Sequence, residues 1–230
     1  MNEPLKYFFK KYGVDTINIE KIIYGAIYTA VLLKNGNTGI CATLSNDVNT
    51  KIEDLKFPDL DNVEHRIVLN AYYNALLNYS NKYDKVIDIF DGVDFKNYDN
   101  IVMIGLFESL FKKFERENIK VFAFDMIKNH DELISIDKEE KYVRNADAII
   151  LSATTIFNKT FMNIVSNTKD YCDIFLLGPS SVMNKDIFKY RNIKTVFGTI
   201  FNKNDMELLN IINKGFGTRK ILPFGKKVSL

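Results

Sequence analysis

The second half of the chain alternates short apolar runs with amphipathic segments. The apolar runs are typical of strands buried on both faces of a sheet. They lie at residues 101–105, 120–124, 148–151, 174–177 and 195–197. Helix-like segments follow them, near residues 107–117, 139–144, 159–166, 185–190 and 205–213. This alternation predicts a parallel sheet with helices on both faces and right-handed crossovers.

The first ninety residues have a different pattern. A β-rich stretch over 21–33 leads directly into Asn35-Gly36, and a return strand follows at 38–43. Asn-Gly between apolar runs is a strong hairpin signal, because both residues tolerate positive φ. After a polar loop, a helix is predicted over 63–79. Its apolar positions, spaced three and four apart, are Val68, Tyr72, Ala75, Leu76 and Tyr79.

These two patterns predict an α/β protein of two domains. A small N-terminal α+β domain spans 1–90, and a parallel α/β domain spans 91–230, with residues 81–98 as the linker region. A chain of 230 residues is long enough for such a division.

Composition narrows the class of protein. The chain is 47% hydrophobic and 26% charged, as in ordinary globular proteins. A net charge of +2 gives no electrostatic reason to expect nucleic acid as a partner. No apolar stretch approaches the roughly 20 residues that span a bilayer, so no membrane association is expected. With Cys41 and Cys172 alone, and no signal-peptide pattern, we expect a cytoplasmic protein without a disulfide framework.

The first β-α-β unit has a weak nucleotide-binding pattern. Gly105 ends the first strand of this unit, and Asp125 follows twenty residues later. In a Rossmann site the glycine lets the ligand approach the backbone, and the acid accepts ribose hydroxyls. One glycine stands where the fingerprint has three, so Gly105 as a turn residue and Asp125 as a loop carboxylate is an equally good interpretation. Phe107, just after the strand, is placed to stack on a planar ligand.

Two later loops are rich in small polar residues. In the first, Ser152, Thr154, Thr155 and Asn158 crowd a short segment, and Asn158 is predicted to cap a helix that favours an anion or a polar headgroup. The alternative is that these side chains only satisfy nearby backbone groups.

The second loop is Gly178-Pro179-Ser180-Ser181, in which both hydroxyls are expected to face the same crevice. The chain has no Gly-x-Ser-x-Gly elbow and only two histidines, which argues against a serine hydrolase. Binding is the better interpretation of this loop.

The sequence gives no strong signal for a metal site, and only a weak one for ligand-binding residues in the N-terminal half. His65 and His130 are not at ligand spacing with the cysteines, and both are interpreted as solvated residues. In the N-terminal half, Thr29 and Asn70 are the candidate contributors. Asn70 in mid-helix costs helix propensity, which favours a role at a domain interface.

Taken in order along the chain, these pieces resemble the putative heavy-metal-chelation family, a domain of unknown function. The resemblance runs from about residue 5 to the C-terminus and is most specific over 145–199. The matching pieces are Gly25-x-x-Tyr28-Thr29, Asn35-Gly36, Gly39, Asn70-Ala71, Gly105-x-Phe107, Asn145-Ala146-Asp147, Thr154-Thr155-x-x-Asn158-x-Thr160, Gly178-Pro179-Ser180-Ser181 and Gly198-Thr199.

The resemblance implies an N-terminal domain similar to that of enolase, a Rossmann-like second domain and a site in the cleft between them. It implies binding or processing of a heavy-metal chelator or a related small ring compound. Two positions depart from the family pattern. Asp125 stands where Glu is frequent, and Ser181 where Thr-Pro commonly follows Gly-Pro-Ser.

Three functional hypotheses remain. The leading one is binding of a small polar or metal-chelating ligand in the interdomain cleft, by Thr29, Asn70, Gly105, Phe107, Asp125, Thr154, Thr155, Asn158, Gly178, Pro179, Ser180 and Ser181. The second is a methyltransferase-like or nucleotide-dependent transferase that uses the unit from Gly105 to Asp125, and the third is a non-catalytic assembly module. The sequence names no cofactor; a metal ion or a metal chelate stays open, as does catalysis. A homodimer is the default assembly.

Overall fold

The computed structural model describes residues 2–83, 87–128 and 130–230, and the predicted linker lies partly outside these ranges. The N-terminal part of the chain contains a three-stranded antiparallel sheet with the strand order β1 (Ile19–Tyr24), β2 (Tyr28–Leu33) and β3 (Thr38–Ala42). The predicted hairpin at Asn35-Gly36 is confirmed, because β2 and β3 pair across it and Gly36 has a φ of +87°.

Two N-terminal helices complete this unit, α1 (Pro4–Tyr12) and α2 (Val63–Leu77). The Asn62 side chain caps α2 by accepting bonds from the N–H groups of Glu64 and His65. The expected apolar stripe underestimates how much of α2 is buried. Nearly every residue after His65 is inaccessible to solvent, polar ones included, because β2 and β3 pack on one side and the second sheet on another.

The second sheet has six strands in the order β5-β4-β6-β7-β8-β9. The first five in the chain are parallel, as predicted. The bounds of the six strands are Ile101–Ile104 (β4), Val121–Phe124 (β5), Ala148–Ser152 (β6), Asp173–Leu177 (β7), Ile193–Phe201 (β8) and Gly225–Ser229 (β9). One edge carries a sixth strand that the alternating pattern does not predict, and this strand, β9, runs antiparallel to β8. Its sequence, Gly-Lys-Lys-Val-Ser, has no apolar run, since one face of an edge strand meets water.

Helices cover both faces of the six-stranded sheet. On one face α3 (Ile89–Gly92) and α4 (Glu108–Arg116) bury aromatic and aliphatic side chains. On the other face α5 (Glu139–Val143) and α6 (Phe161–Ser166) share one continuous core with α1 and α2. The two sheets are therefore joined by packed apolar side chains.

The C-terminal segment returns to the three-stranded sheet. After β8, α7 (Met206–Asn213) and α8 (Thr218–Ile221) pack on the face of β1 and β2 that α2 leaves free. Only then does the chain add β9 to the other sheet. The domain boundary at residue 90 stays a prediction, with the addition that 206–221 packs against the N-terminal unit. Within the described ranges, no helix is long and apolar enough to cross a membrane.

Gly39 is where β3 lies directly on α2. A Cβ built there would stand 2.1 Å from the Ala75 nitrogen and 2.2 Å from the Ala71 oxygen, both backbone atoms. We expect Gly39→Ala to lower the free energy of unfolding by about 3 kcal/mol, because the strand must move off the helix. Gly217→Ala is the matched control, since its nearest neighbour would be the flexible Ile27 Cδ1 at 3.4 Å. Urea denaturation measures both variants, and equal losses would contradict this packing argument.

Candidate functional site

A cleft of about 650 Å³ runs along the carboxyl edge of the six-stranded sheet. Every strand of that sheet contributes to it directly or through the residue that follows. The contributors include Ile104 (β4), Phe124 (β5), Ser152 (β6), Leu177 (β7), Thr199 (β8) and Lys227 (β9). Tyr28 and Ala42 of the three-stranded sheet and Thr218 of α8 close the other side. The Tyr28 hydroxyl lies 2.6 Å from the Thr218 hydroxyl, which ties α8 to the wall.

The cleft includes the topological switch point of the sheet. The chain leaves β4 for β5 on one side and later places β6 on the other side of β4, so the connections after β4 and β6 lead away from each other once they have left the sheet. Gly105 has a φ of +88°, and a Cβ on it would lie 2.7 Å from the Ser152 Cβ. Gly105 is therefore a turn residue that lets two loops of the cleft approach each other.

The Asp125 carboxylate accepts hydrogen bonds from nearby backbone N–H groups. Its Oδ2 accepts a bond from the Leu106 N–H at 2.7 Å, and its Oδ1 accepts from the N–H groups of Ile127 (2.9 Å) and Lys128 (2.8 Å). The Lys128 ammonium donates back to the Leu106 carbonyl. These contacts favour the loop-carboxylate interpretation over a ribose acceptor, and the transferase alternative stays an untested prediction.

The loop after β6 is folded on itself. Residues Ala153–Thr155 form one turn of 3-10 helix, and the Ser152 and Thr154 hydroxyls lie 2.8 Å apart. The prediction that Asn158 caps the next helix is wrong. Lys159 has a φ of +68°, which no helix continues through, so α6 starts only at Phe161. Asn158 instead accepts bonds from the N–H and hydroxyl of Thr160. Thr154, Thr155 and Asn158 line the cleft together.

The two serine hydroxyls of the loop after β7 point in different directions. Ser180 lines the cleft, and its Oγ accepts a bond from the Ala42 N–H at 3.0 Å. The expectation that Ser181 faces the same crevice is wrong. Ser181 is fully buried and donates to the Phe197 carbonyl at 2.8 Å, because the turn closed by its own N–H on Gly178 directs it inward. Gly178 and Pro179 line the cleft, and the Phe107 ring packs over Gly178.

The N-terminal candidates lie behind the wall of the cleft. Thr29 and Asn70 are both fully buried and do not line it. Asn70 Nδ2 donates to the Ser180 carbonyl at 2.9 Å, the interface position that its mid-helix placement suggested. Thr29 sits opposite Cys41 in the β2–β3 ladder, and burial raises the pKa of the Cys41 thiol to about 12. Phe107, which the sequence placed to stack on a planar ligand, lines the cleft.

Two asparagines missed in the sequence extend the contact made by Asn70. Asn74 and Asn78 follow it at four-residue intervals, so the three side chains share one face of α2 and its end. Asn74 Nδ2 donates to the carbonyls of Pro179 (2.9 Å) and Ser181 (3.2 Å), and Asn78 Nδ2 donates to Ser181 (2.9 Å). We call these three residues the asparagine ladder. The sequence signal that could have identified them is the presence of three amide side chains at this spacing in an otherwise apolar helix.

Arg66, one turn earlier on α2, reaches the other loop. Its guanidinium is buried, donates to the carbonyls of Ile156 and Phe157, and forms a bidentate pair with Glu3. Helix α2 therefore holds the loop after β6 through Arg66 and the loop after β7 through the asparagine ladder.

Charged groups lie at the two ends of the cleft. On the β9 side, Asp88 accepts bonds from Lys113 and Lys227; burial opposes its ionisation, but the bond from Lys227 brings the pKa of Asp88 below its ordinary value. On the β5 side, Glu139 is half-buried, has no recorded hydrogen-bond or ion-pair partner in the described part of the chain, and burial raises its pKa.

The donor set does not fit a directly coordinated heavy metal. Among the residues that the structure places, no three His, Cys, Asp or Glu side chains come together. His65 Nδ1 accepts a bond from the Asp59 N–H, and His130 lies beside Glu132 at the surface. Cys41 and Cys172 are buried thiols, which stay protonated at neutral pH because burial raises the pKa of each to about 12.

The asparagine ladder makes a stability prediction. We expect Asn74→Ala to lower the free energy of unfolding by about 3 kcal/mol, because the Pro179 and Ile40 carbonyls lose a buried donor. Backbone N–H groups from Ser180 to Met183 should then exchange faster with deuterium. Asn163→Ala, at an exposed position of α6, is the matched control and should change neither quantity by much. Unchanged exchange in Asn74→Ala would contradict the ladder's role.

The comparisons with known proteins agree with this architecture. A family model described as "Putative heavy-metal chelation" (DUF364) matches residues 88–230. A DUF364 protein of unknown function from Pyrococcus horikoshii, solved by crystallography, is 21% identical with a TM-score of 0.79, and 92% of each chain is covered. A second, from Desulfitobacterium hafniense DCB-2, is 13% identical with a TM-score of 0.75 and covers 98% of this chain and 96% of its own.

At these identities the two crystal structures show a shared fold alone. No protein of curated function matches the chain significantly. The family model spans more than half of the sequence, and it confirms the resemblance that the ordered motifs had suggested. The chain belongs to the DUF364 family.

Proposed function

We propose that the cleft binds a small, largely apolar molecule that chelates a metal, so that the metal arrives with its own ligands. The observation that carries this proposal is the cleft itself. Its volume of about 650 Å³ lies within the range of small-molecule sites, and apolar side chains such as Ile104, Phe107 and Phe197 supply most of its surface.

The polar groups of the cleft support a bound organic molecule over a bare ion. Several of its carboxylate and hydroxyl oxygens already accept bonds from the protein, as at Asp125 and Ser180. Hydroxyl and amide groups at Ser152, Thr154 and Asn158 converge on one region, where they suit a ligand with hydrogen-bonding edges. Phe107 provides a flat apolar surface beside them.

Glu139 also supports a binding role. An unpaired, half-buried carboxylate in a cleft is unfavourable for the folded state, and such groups concentrate at functional sites. A cation or an N–H group on the ligand would stabilise its charged form. Glu139 is therefore a ligand-facing residue in this proposal, added to those that the sequence suggested.

The first test asks what the native protein carries. Ser109 is an exposed residue of α4 at the edge of the cleft, so Ser109→Trp should fill part of it without disturbing the core. Ser166→Trp, at an exposed position of α6 away from the cleft, is the matched control. Native mass spectrometry with elemental analysis should find a small molecule on the wild type and on Ser166→Trp, and less of it on Ser109→Trp. Equal loading of all three proteins would sink the proposal.

The second test separates a chelate from a free ion. Thermal unfolding is followed with zinc chloride, with 8-hydroxyquinoline-5-sulfonate, and with the complex of the two. The aromatic chelator, free or metal-loaded, should raise the Tm by about 5–10 °C at a hundredfold excess over its Kd. Ser109→Trp should reduce this shift. Stabilisation by zinc chloride alone, equal in wild type and Ser109→Trp, would contradict the proposal.

A pH prediction tests the environment of Glu139. Its raised pKa means that the folded state holds the proton more tightly than the unfolded state. This contribution is full below the ordinary value of 4.5 and is lost as the pH rises through the raised value. Glu139→Gln should therefore raise the Tm at pH 7 and lose that gain near pH 4. Glu140→Gln, at the exposed neighbouring position, should show no such pattern. A gain of equal size at both pH values would show that titration is not its cause.

A further inference from the structure

One end of the cleft combines apolar walls with paired cations. We call it the β9 recess and define it by five apolar residues and three charged ones. The apolar side chains are Ile87, Ile89, Leu110, Leu177 and Phe197, and the charged ones are Asp88, Lys113 and Lys227. Lys227 projects from β9 opposite Thr199 of β8, which also lines the cleft. None of the sequence motifs accounts for the charged groups at this end.

The charges of the recess do not cancel. Two ammonium groups face one carboxylate, which leaves a net charge of +1. Lys227 Nζ lies 2.6 Å from Asp88 Oδ2, and Lys113 Nζ lies 3.4 Å from Asp88 Oδ1. Asp88 Oδ1 also accepts the Phe90 N–H, so both carboxylate oxygens are engaged.

Each ammonium retains hydrogen-bonding capacity. A lysine has three N–H donors, and within the placed ranges the one recorded hydrogen bond of each ammonium goes to Asp88. The Asp88 carboxylate thus holds the two cations side by side without satisfying them. The Lys113 and Lys227 side chains are 37% and 49% exposed, so the apolar walls shield them only in part. An anion placed beside both ammonium groups accepts a charge-assisted hydrogen bond from each.

Glu139 does not neutralise the recess directly. It lines the cleft from α5, and among the described residues no ion pair or hydrogen bond links it to Lys113 or Lys227. An anion beside the two ammonium groups would therefore come from a ligand.

We propose that the β9 recess binds an apolar group that ends in an anion, such as a carboxylate, sulfonate or phosphate, placed between Lys113 and Lys227. This inference rests on the proposed function and adds a chemical class to it: the ligand of the cleft is an amphipathic anion. The apolar walls contact its body, and the two ammonium groups donate to its anionic end.

Two fluorescent probes test the proposal. 8-Anilinonaphthalene-1-sulfonate is an aromatic anion, and N-phenyl-1-naphthylamine is a similar aromatic molecule without the charge. Binding of each is titrated against wild type, Lys113→Met and Lys227→Met. The control is Lys226→Met, the neighbouring exposed residue of β9, which does not line the cleft. Circular dichroism verifies native folding, because the sulfonate probe also binds loosened states.

We expect each cleft variant to weaken the anionic probe by about tenfold, the loss of one charge-assisted hydrogen bond. The neutral probe should change by less than about twofold, and Lys226→Met should resemble the wild type. Lys227→Arg should restore most of the affinity. Since the lysines also hold Asp88, this charge-retaining variant keeps the test valid if Lys227→Met folds poorly.

Three outcomes would overturn the inference: unchanged affinity for the anionic probe, an equal loss for both probes, or an equal effect of Lys226→Met. The Ser109→Trp variant separates this inference from the proposed function. If it weakens both probes while the lysine variants do not discriminate between them, the cleft binds apolar molecules but the anion subsite is wrong. If neither probe responds to Ser109→Trp, the cleft is not their site, and both proposals fail.

Discussion

The cleft depends on one constraint: buried side chains of α2 satisfy the backbone carbonyls of two loops that belong to a different sheet. Arg66 donates to the loop after β6, and the asparagine ladder donates to the loop after β7. A buried carbonyl without a donor costs about 1–3 kcal/mol, so the loops have a strong preference for this position. Since Arg66 and the asparagine ladder project from the same helix, their spacing along α2 sets the distance between the two loops.

This constraint has a consequence for how the cleft opens. Residues of α2 and of β4, β6 and β7 belong to one continuous core, and Gly39 brings β3 flush against the same helix. Separating the two sheets would expose that core and break the ladder. The structure therefore supports a preformed site between fixed walls, in which a ligand enters past rim side chains such as Met126 and Ile127.

Much of the architecture could be predicted from the sequence, because it follows from local periodicity. The five parallel strands, the hairpin and the loops at the carboxyl edge all have a pattern within a few residues. The failures needed information from distant residues. Ser181 is buried because it donates to the Phe197 carbonyl. Helix α6 starts late because Lys159, which follows Asn158, has a positive φ. Strand β9 forms because it pairs with β8. Asn74 and Asn78 carried a visible spacing, but their acceptors lie about a hundred residues away.

The proposed function reconciles the chemistry of the cleft with the family description, because in it the metal brings its own ligands. The protein's thiols are buried and protonated, and both oxygens of the Asp125 carboxylate already accept backbone N–H groups. If the ligand is a chelate, the protein has to recognise an organic molecule and need not supply metal ligands. The ion of the chelate is already coordinated, and the chelate presents an organic perimeter, which apolar walls and a few hydrogen-bonding groups can recognise. Cations at the β9 end and a lone carboxylate at the β5 end would then orient that perimeter. The selectivity of such a site lies in the shape and charge of the organic molecule, and the identity of the metal enters only through the chelate that it forms.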